Sequence, residues 1–207
     1  NIGLSVACAS LAIAVVALSV RRHWLVTLAC FLLPLFLSKC FLDYTSSGLE
    51  TPLSYLLFAL FGAVLVTKEN SRFFPLLISL CASLLLLNRL DHVLLIGPAL
   101  ASLAMHRKYD MLSRRNLVQL ALGALPLVSW FAFSLIYYGF VFPNTKYAKL
   151  GTGFPFSDYL AQGMEYSFTW LAQDAASVFM LAAALVMAWC ARRTQPLAVP
   201  LALGLLL

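Results

Sequence analysis

The chain has 207 residues, of which 62% are hydrophobic and only 11% charged, with a formal net charge of +6. A water-soluble domain of this size would have too little polar surface to cover itself, so that class is excluded and the solvent is largely lipid. The positive balance needs no nucleic acid to explain it, because the basic residues gather at the ends of apolar runs, where they face anionic headgroups.

Apolar runs that cross about 30 Å of hydrocarbon, or nearly so with help from their flanks, occur at roughly 2–20, 24–42, 53–67, 73–87, 93–105, 117–137, 175–191 and from 197 onward. They predict an all-α, polytopic transmembrane bundle of seven or eight spans. The first run has no basic region before it and no small-residue cleavage site after it, so it reads as a span and not as a signal peptide. The third to fifth are short, since 15 residues at 1.5 Å rise give only about 23 Å. A single helix over 73–105 would set Asn88-Arg89-Leu90-Asp91-His92 at mid-membrane; two helices with that pentapeptide at the turn keep the charges at helix ends. The chain opens on Asn1 and stops within an apolar run at Leu207, so residues 1–207 are expected to be part of one longer multi-span domain, with upstream and downstream parts missing.

Alternation from an outside N-terminus puts Arg21, Arg22, Lys68, Arg72, Arg107, Lys108, Arg114, Arg115, Arg192 and Arg193 in the cytoplasm. The external links, at about 43–52, 88–92 and 138–174, then receive Asp43, Glu50, Asp91, Asp158, Glu165 and Asp174. This asymmetry predicts an inner or plasma membrane protein whose working face is periplasmic or extracellular. The cysteines, Cys8, Cys30, Cys40, Cys81 and Cys190, lie within or at the ends of apolar runs without metal-type spacing. No metal site is expected from them, and no Gly-rich phosphate loop, HExxH or nucleophile elbow is present.

Three external segments carry more polar chemistry than a connector needs. Asp43 to Pro52 is dense in hydroxyls and carboxylates; Thr51 as N-cap with Pro52 at the first helical position accounts for part of it, but not for Glu50 beside Asp43. Asn88 to His92 sets Arg89 and Asp91 between two short apolar helices, as an interfacial ion pair or as a functional group. Tyr137 to Lys149 opens the longest external stretch. Its tyrosines suit an interfacial aromatic belt, whereas Lys146 and Lys149, on one face of a helical turn, run against the charge rule and suit an anionic oxygen. Beyond them, 154–174 mixes aromatic and acidic residues as a helix lying in the interface would.

The strings DYTSSGLETPLSYLLF, NRLDHVLL and YYGFVFPNTKYAKLG, in this order, resemble the multi-spanning glycosyltransferases of the GT-C type. They are most similar to the branch that holds the terminal arabinofuranosyltransferases of the mycobacterial cell envelope and their uncharacterised bacterial relatives. Ser47-Gly48-Leu49-Glu50 fits the first element of that branch, and Tyr138-Gly139, Pro143-Asn144-Thr145 and Ala148-Lys149 fit the third. The middle element departs, with Leu90 where proline is usual and His92 where a small residue is usual. The likeness covers residues 40 to 150, about half the chain.

The resemblance implies a donor sugar on a polyprenyl phosphate, arabinofuranose or another, transferred on the external face to a glycan, lipid or protein acceptor. It also implies that the catalytic Asp of the first external loop lies upstream of Asn1. Arg89, Lys146 and Lys149 are the candidates for the donor phosphate, and Asp43, Ser47, Glu50, Asp91, Asn144 and Tyr138 for sugar or acceptor hydroxyls. No cofactor is certain; the acidic residues would meet either a divalent cation or hydroxyls alone. The competing class is a transporter or flippase of lipid-linked envelope precursors, which usually carries charge or broken helices near mid-membrane.

Overall fold

The structure is a computed structural model, and it describes residues 1–19, 36–46, 48, 50–106, 109–141, 155–193 and 197–204. The described residues form helices joined by short links, with no strand among them: α1 (Ile2–Ser19), α2 (Lys39–Ser46), α3 (Thr51–Thr67), α4 (Phe74–Asn88), α5 (His92–Met105), α6 (Arg114–Tyr138), α7 (Phe156–Gln173), α8 (Ala175–Ala191) and α9 (Ala198–Gly204). The break expected at 88–92 is present, and α4 and α5 are separate helices. Proline sits near the start of α3 and of α4, where its missing N–H costs no helical hydrogen bond. Gly139 ends α6 in the left-handed region at φ 73°, its N–H returning to Leu135 O at 3.1 Å.

The core is built by the middle of the chain. Leu57, Phe61 and Leu65 of α3, Phe74, Ile78, Ala82 and Leu85 of α4 and Ile96 and Leu103 of α5 form one buried cluster, closed by Met111. Around it, α1 runs along α3, α6 along α4, and α9 against α5 and α8. The contact of α4 with α6 is unusually close. A Cβ on Gly123 would stand 2.6 Å from Leu76 O and 2.8 Å from Leu80 N, so only glycine lets the two backbones approach this far. Small hydroxyls stitch the seam. Ser79 Oγ donates to Leu120 O at 2.7 Å, and the Leu127 N–H, just beyond Pro126, donates to Ser83 Oγ at 3.0 Å.

Among the described residues, fewer helices reach spanning length than the seven or eight spans expected. By length and composition, α1 and α6 can each cross a membrane, and the count rises to four if α2 with α3, and α7 with α8, are each one bent span. The reason is that α3, α4 and α5 have 17, 15 and 14 residues and stop at their polar links instead of borrowing from them, which leaves them about 21–26 Å long. The run expected at 24–42 lies largely outside the described residues, which take it up only from residue 36.

Links that alternation puts on one side do share an end. At one end, the carbonyl of Glu50 accepts from Asn88, and Gly48 lies beside Asn1. At the other, Tyr109 donates to Glu69 at 3.4 Å and Gln119 to Arg72 O at 3.0 Å. The acidic link residues Glu50 and Asp91 therefore gather at the first end, and the basic Lys68, Arg72, Arg114 and Arg115 flank links at the second.

Candidate functional site

Glu50 and Arg89 are 39 positions apart in sequence, and packing of α3 against α4 brings them together. Arg89 Nη1 lies 3.3 Å from Glu50 Oε1, while its Nε and Nη2 grip Asp91 side-on, at 3.2 Å to Oδ1 and 2.8 Å to Oδ2. The paired Arg–carboxylate fork favours both charged forms. Hydrogen bonds from Arg89 hold the Asp91 carboxyl below its ordinary range, and those to Asp91 raise Arg89. Three of the five guanidinium N–H groups are used, and two have no partner among the described residues. The side chains are 42, 48 and 57% exposed for Arg89, Glu50 and Asp91. Ion pairs this open are worth at most about 1 kcal/mol. Stability therefore does not account for three charges at one helix turn, and their accessibility leaves them free to meet a ligand.

Behind the exposed trio lies a buried layer that sequence reasoning missed. Ser54, one turn into α3, joins Asn88 and His92, each at 2.8 Å. His92 is buried against Phe58, with ring centroids 4.8 Å apart. The signal available was a lone serine within an apolar run, facing a turn that holds an asparagine and a histidine. Thr51 is not the N-cap expected of it: α3 begins at Thr51 itself, after Glu50, whose side chain makes no cap and turns to Arg89 instead.

The remaining expected site residues separate into two groups. Asp43 is exposed on α2, and its carboxylate has no partner among the described residues. Tyr138 ends α6 edge-to-face with its aromatic neighbours, ring centroids 4.8 Å from Tyr137 and 6.2 Å from Phe133, with no bond to the trio. Ser47, Asn144, Lys146 and Lys149 lie outside the described residues. No group of three or more His, Cys, Asp or Glu among the described residues gathers as a metal site would.

A second polar node was legible only as one more external acid. Asp174, 3% exposed between α7 and α8, accepts from Ser38 Oγ at 3.0 Å, Cys40 N at 3.0 Å, Ser177 Oγ at 2.8 Å and Ser177 N at 3.2 Å. Burial opposes its ionisation, but the hydrogen bonds from Cys40 and Ser177 outweigh it and hold the carboxyl well below the usual carboxylate range. With three donors on Oδ2 and one on Oδ1, the node is a tie between α2 and α8. Asp174→Ala, which strands those donors, is expected to lower unfolding stability by about 3 kcal/mol, read by denaturant titration in detergent. Asp174→Asn keeps one oxygen for three of the donors and should lose less. Because the folded-state pKa is depressed, this contribution is complete above the ordinary carboxylate range and is lost progressively as pH falls from there through the depressed value.

Fold and site together define an all-helical protein with apolar helices of membrane-spanning length and an exposed Arg–carboxylate cluster at one end of its bundle. Comparison with protein-family models, with curated proteins and with solved structures finds no match to this chain.

Proposed function

We propose that the protein is a membrane glycosyltransferase of the GT-C type, which transfers a sugar from a polyprenyl phosphate to a glycan, lipid or protein acceptor. The observation that carries this reading is the Glu50–Arg89 pair, which joins two of the three segments that resemble that family. In such a transfer an acceptor hydroxyl attacks the anomeric carbon, the bond from that carbon to the phosphate oxygen breaks, and the polyprenyl phosphate leaves with the bonding electrons. A base removes the hydroxyl proton, and cations stabilise the charge that grows on the phosphate. The two unused N–H groups of Arg89 suit a phosphate oxygen, with Lys146 and Lys149 as further candidates, and Glu50 and Asp91 suit sugar hydroxyls.

In this reading α3, α4 and α5 are short crossings beside a polar cavity, and the end that bears Glu50 and Arg89 faces the periplasm or exterior. The positive flanks of the opposite links support that orientation. The acidic stripe of α7, with Asp158 and Glu165, and its bend of 99° from α8 suit a helix that lies along the outer surface. A transporter of lipid-linked precursors is the second reading, favoured by the two bent helix pairs, a form that broken transporter spans take. Incubating the full-length protein in vesicles with labelled polyprenyl-phosphate sugars separates the two. A transferase yields a new glycoside and free polyprenyl phosphate, whereas a transporter yields donor moved intact.

A further inference from the structure

Ser54 is 3% exposed among the apolar side chains of α3. Two residues of the α4–α5 turn converge on its hydroxyl: Asn88 donates through Nδ2 at 2.8 Å, and His92 Nε2 shares a hydrogen bond with it at 2.8 Å. Asn88 also reaches Glu50 O at 3.4 Å. These two residues bracket Arg89, Leu90 and Asp91. The backbone of these three residues is held by Arg89 N to Leu85 O at 2.9 Å and by three reverse bonds, His92 N to Arg89 O and Val93 N to Leu90 O at 3.2 Å and Leu94 N to Asp91 O at 3.0 Å. The Arg89–Asp91 pair is exposed and adds little. Buried side-chain bonds on both flanks add a tertiary anchor to these local bonds and oppose the turn's own conformational freedom.

We propose that Ser54 is a positioning residue that, through Asn88 and His92, locks the turn so that Arg89 stands between Glu50 and Asp91 and faces an anionic ligand. What the turn binds rests on the proposed function; the lock itself does not. Ser54→Ala leaves Asn88 Nδ2 and His92 Nε2 facing a methyl group. His92→Ala removes one of the two fastenings. The geometry also supplies a substitute for them. Leu90 is the second residue of the Arg89–His92 turn, its N–H has no partner among the described residues, and Arg89 before it is extended at φ −152°, ψ 126°. Proline fits that position and stiffens it.

Hydrogen exchange on the full-length protein in lipid nanodiscs tests the lock. The amides of His92 and Val93 should exchange about tenfold faster in Ser54→Ala and in His92→Ala, with the protection of Leu77 to Leu85 in α4 unchanged. Adding Leu90→Pro to His92→Ala should return exchange to within about threefold of the parent. Unchanged exchange at the turn, loss of protection spread equally through α4, or no recovery with proline each overturns the proposal. The KM for a polyprenyl-phosphate sugar should rise and recover in step with exchange, while kcat moves less. If exchange behaves as stated and the parent protein turns over no such donor, the lock stands and the glycosyl-transfer reading falls.

Discussion

Arg89→Ala in the full-length protein is expected to cut sugar transfer about 10²- to 10³-fold, the usual loss when one preorganised donor to a developing negative charge is removed. Folding should hardly change, because the side chain is 42% exposed and its ion pairs are of the weak, solvated kind. Arg89→Lys separates charge from shape. An ammonium keeps the charge, but it cannot grip Asp91 through two parallel bonds while also reaching Glu50. Lysine should therefore recover only part of the lost rate, and mainly at low ionic strength, where a loosely held charge is least screened. Steady-state assay with a defined polyprenyl-phosphate sugar reads both variants. Full activity in Arg89→Ala would remove the phosphate role from this residue and leave the external lysines as its candidates.

The second large effect lies in the packing. Gly123→Leu is expected to destabilise the protein by at least about 3 kcal/mol, because a β-carbon at that position already meets the α4 backbone. Separating α4 from α6 would also break the bonds of Ser79 to Leu120 O and of Ser83 to the Leu127 N–H. Thermal unfolding in detergent, followed by loss of the monodisperse species, reports this directly. Gly62→Ala is the matched control. Nothing lies within 4 Å of the β-carbon it would add to α3, so it should be neutral or mildly stabilising. Equal behaviour of the two variants would mean that the close seam is not a source of stability.

Much of this arrangement can be read from the chain, and what cannot has physical causes. The α4–α5 break was legible because Arg89 and Asp91 are costly inside hydrocarbon, so the helix had to end there. The sharing of ends among links followed from charge, since alternation and the basic flanks give the same answer. Among the described residues fewer helices reach full spanning length than the apolar runs suggest, because an apolar window counts flanking residues that here belong to turns. The partners of Glu50 could not be read at all. Its contact with Arg89 depends on how α3 and α4 lie against each other, and no local period records that. Ser54 was missed for a related reason: one hydroxyl in an apolar run has no periodic signature, and its importance rests on Asn88 and His92, which reach it only in the folded chain. Asp174 was counted among external acids, although its four hydrogen bonds make it a structural tie.

Two glycines of the family-like segments, Gly48 and Gly139, illustrate how a motif can mix structure with chemistry. Gly48 and Gly139 both adopt left-handed backbone, at φ 72° and 73°, a conformation other residues rarely take. Their presence is explained by backbone alone, and no binding role needs to be added. Glu50 and Arg89 have no such backbone explanation, which is why the functional argument rests on them.

The proposed sugar transfer from a lipid phosphate takes place at the end of the bundle that bears Glu50, Arg89 and Asp91. A sided assay locates the reaction. Sealed vesicles holding the full-length protein in one orientation, fixed by labelling a cysteine introduced at Asp158, are given a labelled polyprenyl-phosphate sugar on one face at a time. A new glycoside and an equal amount of free polyprenyl phosphate should form only when donor is supplied on the face that carries the Glu50–Arg89 pair. Product formed from the opposite face, or donor recovered intact across the bilayer with no glycoside, would contradict it.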